Sequence, residues 1–152
     1  MRFFNTEGPV NCQDHYCLPP LARIDLEEVT SLIAQKKYFL LHAPRQTGKT
    51  TCLLALAEQL NQGDTYHAVY ANIEAAQAWR ENVEQGIATI VTNIAHWAAD
   101  WTGDHVALPV LEEVRRSSAP GALLEVFLSQ WCQRLDKPLV LMLDEVDALI
   151  GD

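Results

Sequence analysis

The residues of this chain best suited to chemistry form one octapeptide, Ala43-Pro44-Arg45-Gln46-Thr47-Gly48-Lys49-Thr50. A bound triphosphate needs N–H donors converging on its oxygens, a backbone that can come close, a cation for the terminal phosphates and a hydroxyl for Mg²⁺. Gly48 lets the backbone approach, Lys49 brings the point charge and Thr50 the hydroxyl, with Thr51 as a second candidate. The usual spacing is G-x-x-x-x-G-K-[ST], and Ala43 stands where the first glycine is expected. An added methyl group is tolerated only if that position keeps an ordinary negative φ. The bland alternative is a glycine-containing turn before a helix.

A second constellation follows about ninety-five residues downstream, where Pro138-Leu139-Val140-Leu141-Met142-Leu143 runs into Asp144-Glu145-Val146-Asp147. An apolar run without a polar face is expected of a strand buried on both sides in a parallel sheet. Ligands of such sheets bind beyond the carboxyl ends of the strands. Asp144 is thereby a candidate for holding Mg²⁺ or its water shell, and Glu145 for deprotonating a water that attacks a γ-phosphate. The alternative is an acid-rich helix start, favoured by the helix dipole.

These side chains need elements to carry them. Lys37 to His42 reads as a short buried strand before the loop, and Thr50 to Leu60 as a helix with Leu53, Leu56, Ala57 and Leu60 on one face. Upstream, Asn5 to Arg23 reads as irregular structure, after which Asp25 caps a helix from Leu26 to Lys36. Downstream, His67 to Ile73 reads as a strand. Val83, Ile87, Ile90, Ile94, Trp97 and Trp101 mark one face of a long helix, and Leu123 to Leu135 a shorter one. The long helix packs on a sheet or serves as a partner seam. Arg115 and Arg116 fall in the connection between the two helices, as dipole complements or as arginine fingers.

The chain has 152 residues, 49% hydrophobic content and a formal net charge of −9, enough for the core of one domain. Residues 1–50 hold six Lys or Arg against five acids, while residues 51–152 hold five against fifteen. Lys36, Lys37, Arg45 and Lys49 concentrate positive charge near the loop, and the remainder repels polyanions, so this portion is a poor nucleic-acid binder. Cys12, Cys17, Cys52 and Cys132 do not form a disulfide framework. Cys12 and Cys17 flank Asp14 and His15, a weak metal pattern without a second close pair. No secretory signal or membrane-length apolar run is visible, which points to a reduced, cytoplasmic protein.

Pro44 to Thr51 resembles the loop of AAA-like P-loop ATPases, more narrowly the bacterial group related to STAND and archaeal ATPases, and Leu143-Asp144-Glu145-Val146-Asp147-Ala148-Leu149 resembles their Walker B segment. The resemblance implies an α/β, three-layer P-loop NTPase with a parallel sheet, ATP and Mg²⁺ as ligands, and a cofactor-binding loop spanning Ala43 to Thr51. It further implies metal contacts by Thr50 and Asp144, and catalytic roles for Lys49 and Glu145. Asp147 would organise the segment after the base, and Tyr16, His15 or Pro19 could lie beside adenine; the alternative for these three is a surface arm tied down by its aromatics. Residues 1–152 would form the front of one ATPase domain, with 1–24 as an arm and 25–152 as the nucleotide-binding core.

The family sheet order 5-1-4-3-2 calls for a strand after the Walker B segment. The sequence is therefore read as an incomplete core that leaves two strand edges unpaired and hydrolyses ATP poorly alone. Self-association or a protein partner would act through regions beyond Asp152. Two other functions remain open: a nucleotide-binding switch or scaffold without significant hydrolysis and, more distantly, a small-molecule kinase.

Overall fold

Five α-helices and two β-strands organise the described part of the computed structural model, which covers residues 3–6, 11, 13–44, 46–79 and 81–149. The fold is mixed α/β, mostly helical, with a small parallel sheet. The chain divides into two compact units, residues 1–59 and 60–152.

The second unit is built on strand β1 (His67–Asn72) and strand β2 (Leu139–Asp144), paired in parallel with Val69 opposite Leu141 and Asn72 opposite Asp144. The ladder continues past both ends: His67 N–H donates to Pro138 O at 2.9 Å and Ile73 N–H to Asp144 O at 3.2 Å. Asn61 serves the far side of β1, accepting from Ala68 N–H and donating to Ala68 O, each at 2.8 Å. A side-chain amide there does the work of a neighbouring strand. β1 is buried along its length, consistent with its nearly unbroken apolar run.

Helix α3 (Val83–Thr102) lies against β1, with α4 (Ala107–Ser117) and α5 (Leu123–Arg134) packed beside it. Its buried line runs through Gly86, Ile90, Val91, Ile94, Ala95 and Ala98, not along the whole stripe from Val83 to Trp101. Val83 is exposed, and Trp97 and Trp101 are half-buried at the flank. The small residues take the deepest positions because they allow closer packing of the helix, leaving the large rings to cover the margins. Gly103, at φ 64°, ends α3 in the left-handed conformation and donates its N–H to Ala99 O.

Helix α4 occupies the stretch expected to be a connection. Ala107, Val110, Leu111 and Val114 form its buried face, and Arg115 and Arg116 belong to its last turn. Asp104 organises its start: one carboxylate oxygen accepts from Val106 N–H at 2.5 Å and Ala107 N–H at 3.3 Å, the other from Trp131 Nε1–H at 2.5 Å. Trp131 is fully buried and stacks on Phe127, with ring centroids 5.5 Å apart.

The first unit holds α1 (Leu26–Ala34) and most of α2 (Lys49–Gln62). Asp25 caps α1 as expected, accepting from Glu28 N–H at 2.9 Å. The largest departure is Lys37 to His42, which forms no strand. Tyr38 is fully exposed and Leu40 is 80% exposed. β propensity makes a strand only where a ladder partner accepts the backbone groups, and β1 and β2 pair only with each other among the described strands.

Candidate functional site

The loop and the acids lie in different units. In the first unit the loop is shaped by its own backbone. Gln46 at φ 58° and Gly48 at φ 85° are left-handed, with Thr47 between them outside that region. Such alternation turns successive N–H groups toward one side, the geometry of an anion nest. The Thr47 hydroxyl donates to Pro44 O at 2.6 Å and pins the turn. Lys49 folds back so that Nζ donates to Ala43 O at 2.8 Å and Pro44 O at 3.1 Å. Ala43 keeps an ordinary backbone conformation, so the missing glycine costs nothing there. Thr50 and Thr51 lie in the first turn of α2, whose dipole favours negative charge at this end. Arg45 lies outside the described residues.

Arg23 is the loop residue that the sequence reading missed. It closes a short 3-10 turn, Pro20–Arg23, and Nη1 donates to Thr47 O at 2.7 Å. A Cβ on Gly48 would come within 2.9 Å of that same nitrogen, which the flexible Arg23 side chain could relieve by shifting, so it is the φ of 85° that favours glycine here. The guanidinium also acts at a distance: burial pushes the Cys52 thiol up, and Arg23 partly offsets this. Of the cations expected near the loop, Lys36 and Lys37 belong to the turn that closes α1. Only an unpaired-looking Arg between a proline-rich arm and a helix cap could have pointed to Arg23, and spacing gives it no distinction.

The second unit places Asp144 at the carboxyl end of β2, 6% exposed. Its Oδ1 accepts from Glu145 N–H at 3.0 Å and its Oδ2 from the Tyr70 hydroxyl at 3.1 Å. Tyr70 reaches diagonally across the ladder from β1 and stands edge-on to Trp97 at 5.4 Å, with Trp101 at 6.3 Å. Burial first, and then the Asp144 charge, push the phenol far above its usual range, so it keeps its proton and donates. Glu145 is exposed and left-handed, φ 61°, a conformation that costs a non-glycine residue of order 1 kcal/mol or more. Asp147 is exposed in the 3-10 turn Val146–Leu149. Tyr70 escaped the sequence reading because a tyrosine in a strand run signals only β propensity. Its buried hydroxyl needs a partner, and that partner comes from a strand 74 residues away.

The secondary candidates resolve into local roles. Arg115 donates to the Thr92 hydroxyl at 2.5 Å and pairs with Glu112, and Arg116 donates to Glu112 O. His15 and Tyr16 pack edge-on and tilted against Phe3 and Phe4, the aromatic-tied arm that was the alternative to an adenine contact. Cys17 is disulfide-bonded, contrary to the expectation of free thiols, while Cys52 and Cys132 are free. Cys12 lies outside the described residues. His15 Nδ1 accepts from Asn11 N–H, Asp14 accepts from the Asn11 amide, and a disulfide sulfur is no thiolate ligand, so the described residues of the suspected metal pattern are engaged in other bonds. Among the described residues no group of three His, Cys, Asp or Glu could hold a metal ion, and no helix is long and apolar enough to cross a membrane.

Comparison with protein-family models finds no match, and comparison with curated proteins and with solved structures finds none either.

Proposed function

We propose that this chain is an ATP-binding, AAA-like P-loop ATPase. The observation that carries the reading is the loop conformation: a nest with left-handed Gln46 and Gly48, the Lys49 ammonium at its mouth, and α2 opening directly behind. Donors, cation and helix end are the chemistry that binds a polyphosphate. Two further features support it. The parallel ladder ends in Asp144 and Glu145, where ligands of parallel sheets bind. The pairing of β1 with β2 also agrees with the 5-1-4-3-2 order, in which the second and third strands are neighbours.

Within the loop, Lys49 would exchange its two loop carbonyls for phosphate oxygens and Thr50 would offer its hydroxyl to Mg²⁺; in the other unit, Asp144 is the carboxylate that the reading assigns to a metal's water shell. Mg²⁺ would neutralise charge building on the phosphates. Glu145, exposed and held in a strained conformation one residue beyond Asp144, is suited to accept a proton from an attacking water.

Calorimetric titration of Mg-ATP into the parent and into Lys49→Ala tests the binding claim. Saturable heat in the parent that disappears in the variant is the expected result; a folded parent that takes up no ATP removes the reading. Hydrolysis is tested separately with Glu145→Gln, which should retain ATP and lose turnover. Equal turnover by parent and variant would instead favour a switch or scaffold that uses ATP without hydrolysing it at Glu145.

A further inference from the structure

We propose that a cleft in the second unit binds a dipeptide, with its carboxylate at Arg115 and its ammonium at Glu84. The site lies wholly within that unit and does not depend on the ATP-binding reading.

The cleft has a volume of about 290 Å³, at the small end of the range for ligand sites. Glu84, Gln85 and Ala88 line it from α3, Arg115 and Ser118 from the end of α4, and Leu123 from the start of α5. Arg115 is held in place before any ligand arrives. Its Nη2 donates to Thr92 Oγ1 at 2.5 Å, Glu112 lies 3.5 Å from Nη1, and the Thr92 hydroxyl is itself fixed by donating to Ala88 O. A guanidinium has five N–H donors, so others stay without a partner among the described residues. Glu84 pairs with no cation among those residues.

The position of these charges along α3 sets the length of the ligand. Glu84, Ala88 and Thr92 follow one another at four-residue steps and share a face of the helix. From Glu84 to Thr92, where Arg115 is anchored, is about 12 Å along the axis. With a hydrogen bond of about 3 Å at each end, roughly 6 Å remains between the charges of a bridging ligand. An α-amino acid carries both charges on one carbon and is too short. An extended dipeptide, at about 3.5 Å per residue, spans the gap. Its central peptide group needs a donor and an acceptor, and the Gln85 carboxamide is both. Neither that carboxamide nor the Ser118 hydroxyl has a hydrogen-bond partner among the described residues. Half-buried Ala88 and buried Leu123 give apolar surface to small side chains.

The plain alternative is a groove left where α4 ends and the chain turns through Pro120 into α5, its polar groups served by water. Such a groove is indifferent to the charges of whatever enters it. A dipeptide site requires both ends of the ligand and answers to each through a different residue.

The experiment titrates L-alanyl-L-alanine into the full chain and follows backbone N–H resonances by NMR. N-acetyl-alanyl-alanine, which lacks the ammonium, alanyl-alanine amide, which lacks the carboxylate, and free L-alanine are the comparison ligands. Saturable shifts centred on Gln85, Ala88 and Ser118 are expected for the dipeptide, at the millimolar scale open to a ligand of so few atoms. Blocking either end should weaken binding about tenfold, the lower end for a hydrogen bond to a charged group, and L-alanine should bind more weakly still. Glu84→Gln should cost about tenfold for the dipeptide and nothing for its N-acetyl form, while Arg115→Gln should behave likewise toward the amide. Ala88→Leu should fill the cleft and abolish binding of all four. If Arg115→Gln does not fold, Glu84→Gln, at an exposed position, decides the matter with the N-acetyl comparison. A folded parent whose Gln85, Ala88 and Ser118 signals do not move, or a dipeptide and blocked forms that bind equally well, overturns the proposal.

Discussion

The loop around Gly48 and the Asp144 cluster obtain their shapes in opposite ways. Thr47 and Lys49 are held by bonds spanning six residues or fewer, and Arg23 adds a longer tie. Asp144 depends on Tyr70, 74 residues away, and through it on β1 and α3. A short motif can therefore keep its local form where the residues before it form no strand, whereas the acid cluster exists only if the second unit's core is intact.

The sharpest way to break this contrast is to damage that core. Phe127→Ala should destabilise the second unit by about 3–5 kcal/mol, as expected for a fully buried aromatic. Leu40→Ser, at an exposed position, should stay within about 0.5 kcal/mol. Urea unfolding of both variants measures the difference, and a large loss from Leu40→Ser would mean that residues 37–42 are paired in solution.

Next in size is Asp104→Ala. It strips the Trp131 indole N–H of its buried acceptor and removes the cap on the first N–H groups of α4, so a loss of about 2–3 kcal/mol is expected. A near-zero change would show that water replaces the carboxylate.

The same contrast explains what the sequence made readable. Helices α1, α2, α3 and α5 and both observed strands could be placed from periodicity, because each carries its apolar pattern within one element. Helix α4 was obscured by Pro109 and by the charged run Glu112 to Arg116. Pro109 sits in the first turn, where its missing N–H breaks no helix bond, so the Ala107-Val110-Leu111-Val114 face was sound. Lys37 to His42 failed for the opposite reason: its composition suits a strand, but pairing is a property of two segments. Tyr70 and Arg23 were invisible for a related reason, since each matters through one long-range bond that no local spacing encodes.

Arg23 offers a smaller perturbation on the loop side. Under the proposed function, Arg23→Ala should weaken ATP binding by about fivefold, roughly the value of one hydrogen bond near 1 kcal/mol, by loosening Thr47 and removing a cation from the loop. Arg23→Lys should recover part of the affinity, because the charge returns without the forked donor. Calorimetry on the two variants separates these contributions, and unchanged affinity in Arg23→Ala would show that the loop stands on its local bonds alone.

The smallest effect concerns the pairs at the start of the ladder, where His67 meets Asp136 at 2.7 Å and Lys137 meets Asp64. The His67 hydrogen bond holds the Asp136 carboxyl below its usual range, outweighing the opposing desolvation. A lowered folded pKa makes the unfolded chain the tighter proton binder. Its stabilisation is therefore present above the unfolded value near 4 and is lost as pH falls through the folded value. Lys137 is raised, chiefly by its hydrogen bond to Asp64, so its contribution is present below the unfolded value near 10.4 and is lost as pH rises through the folded one. Both groups are open to solvent, and screening keeps each contribution small. Urea midpoints measured against pH should show Asp136→Asn below the parent at neutral pH and merging with it in acid, while Lys137→Met should lie below the parent at neutral pH and merge with it on the alkaline side. A constant offset for Asp136→Asn down to the lowest pH at which the chain still folds would mean that the carboxylate is not ion-paired in the fold, and that the ladder begins without help from its charged flank.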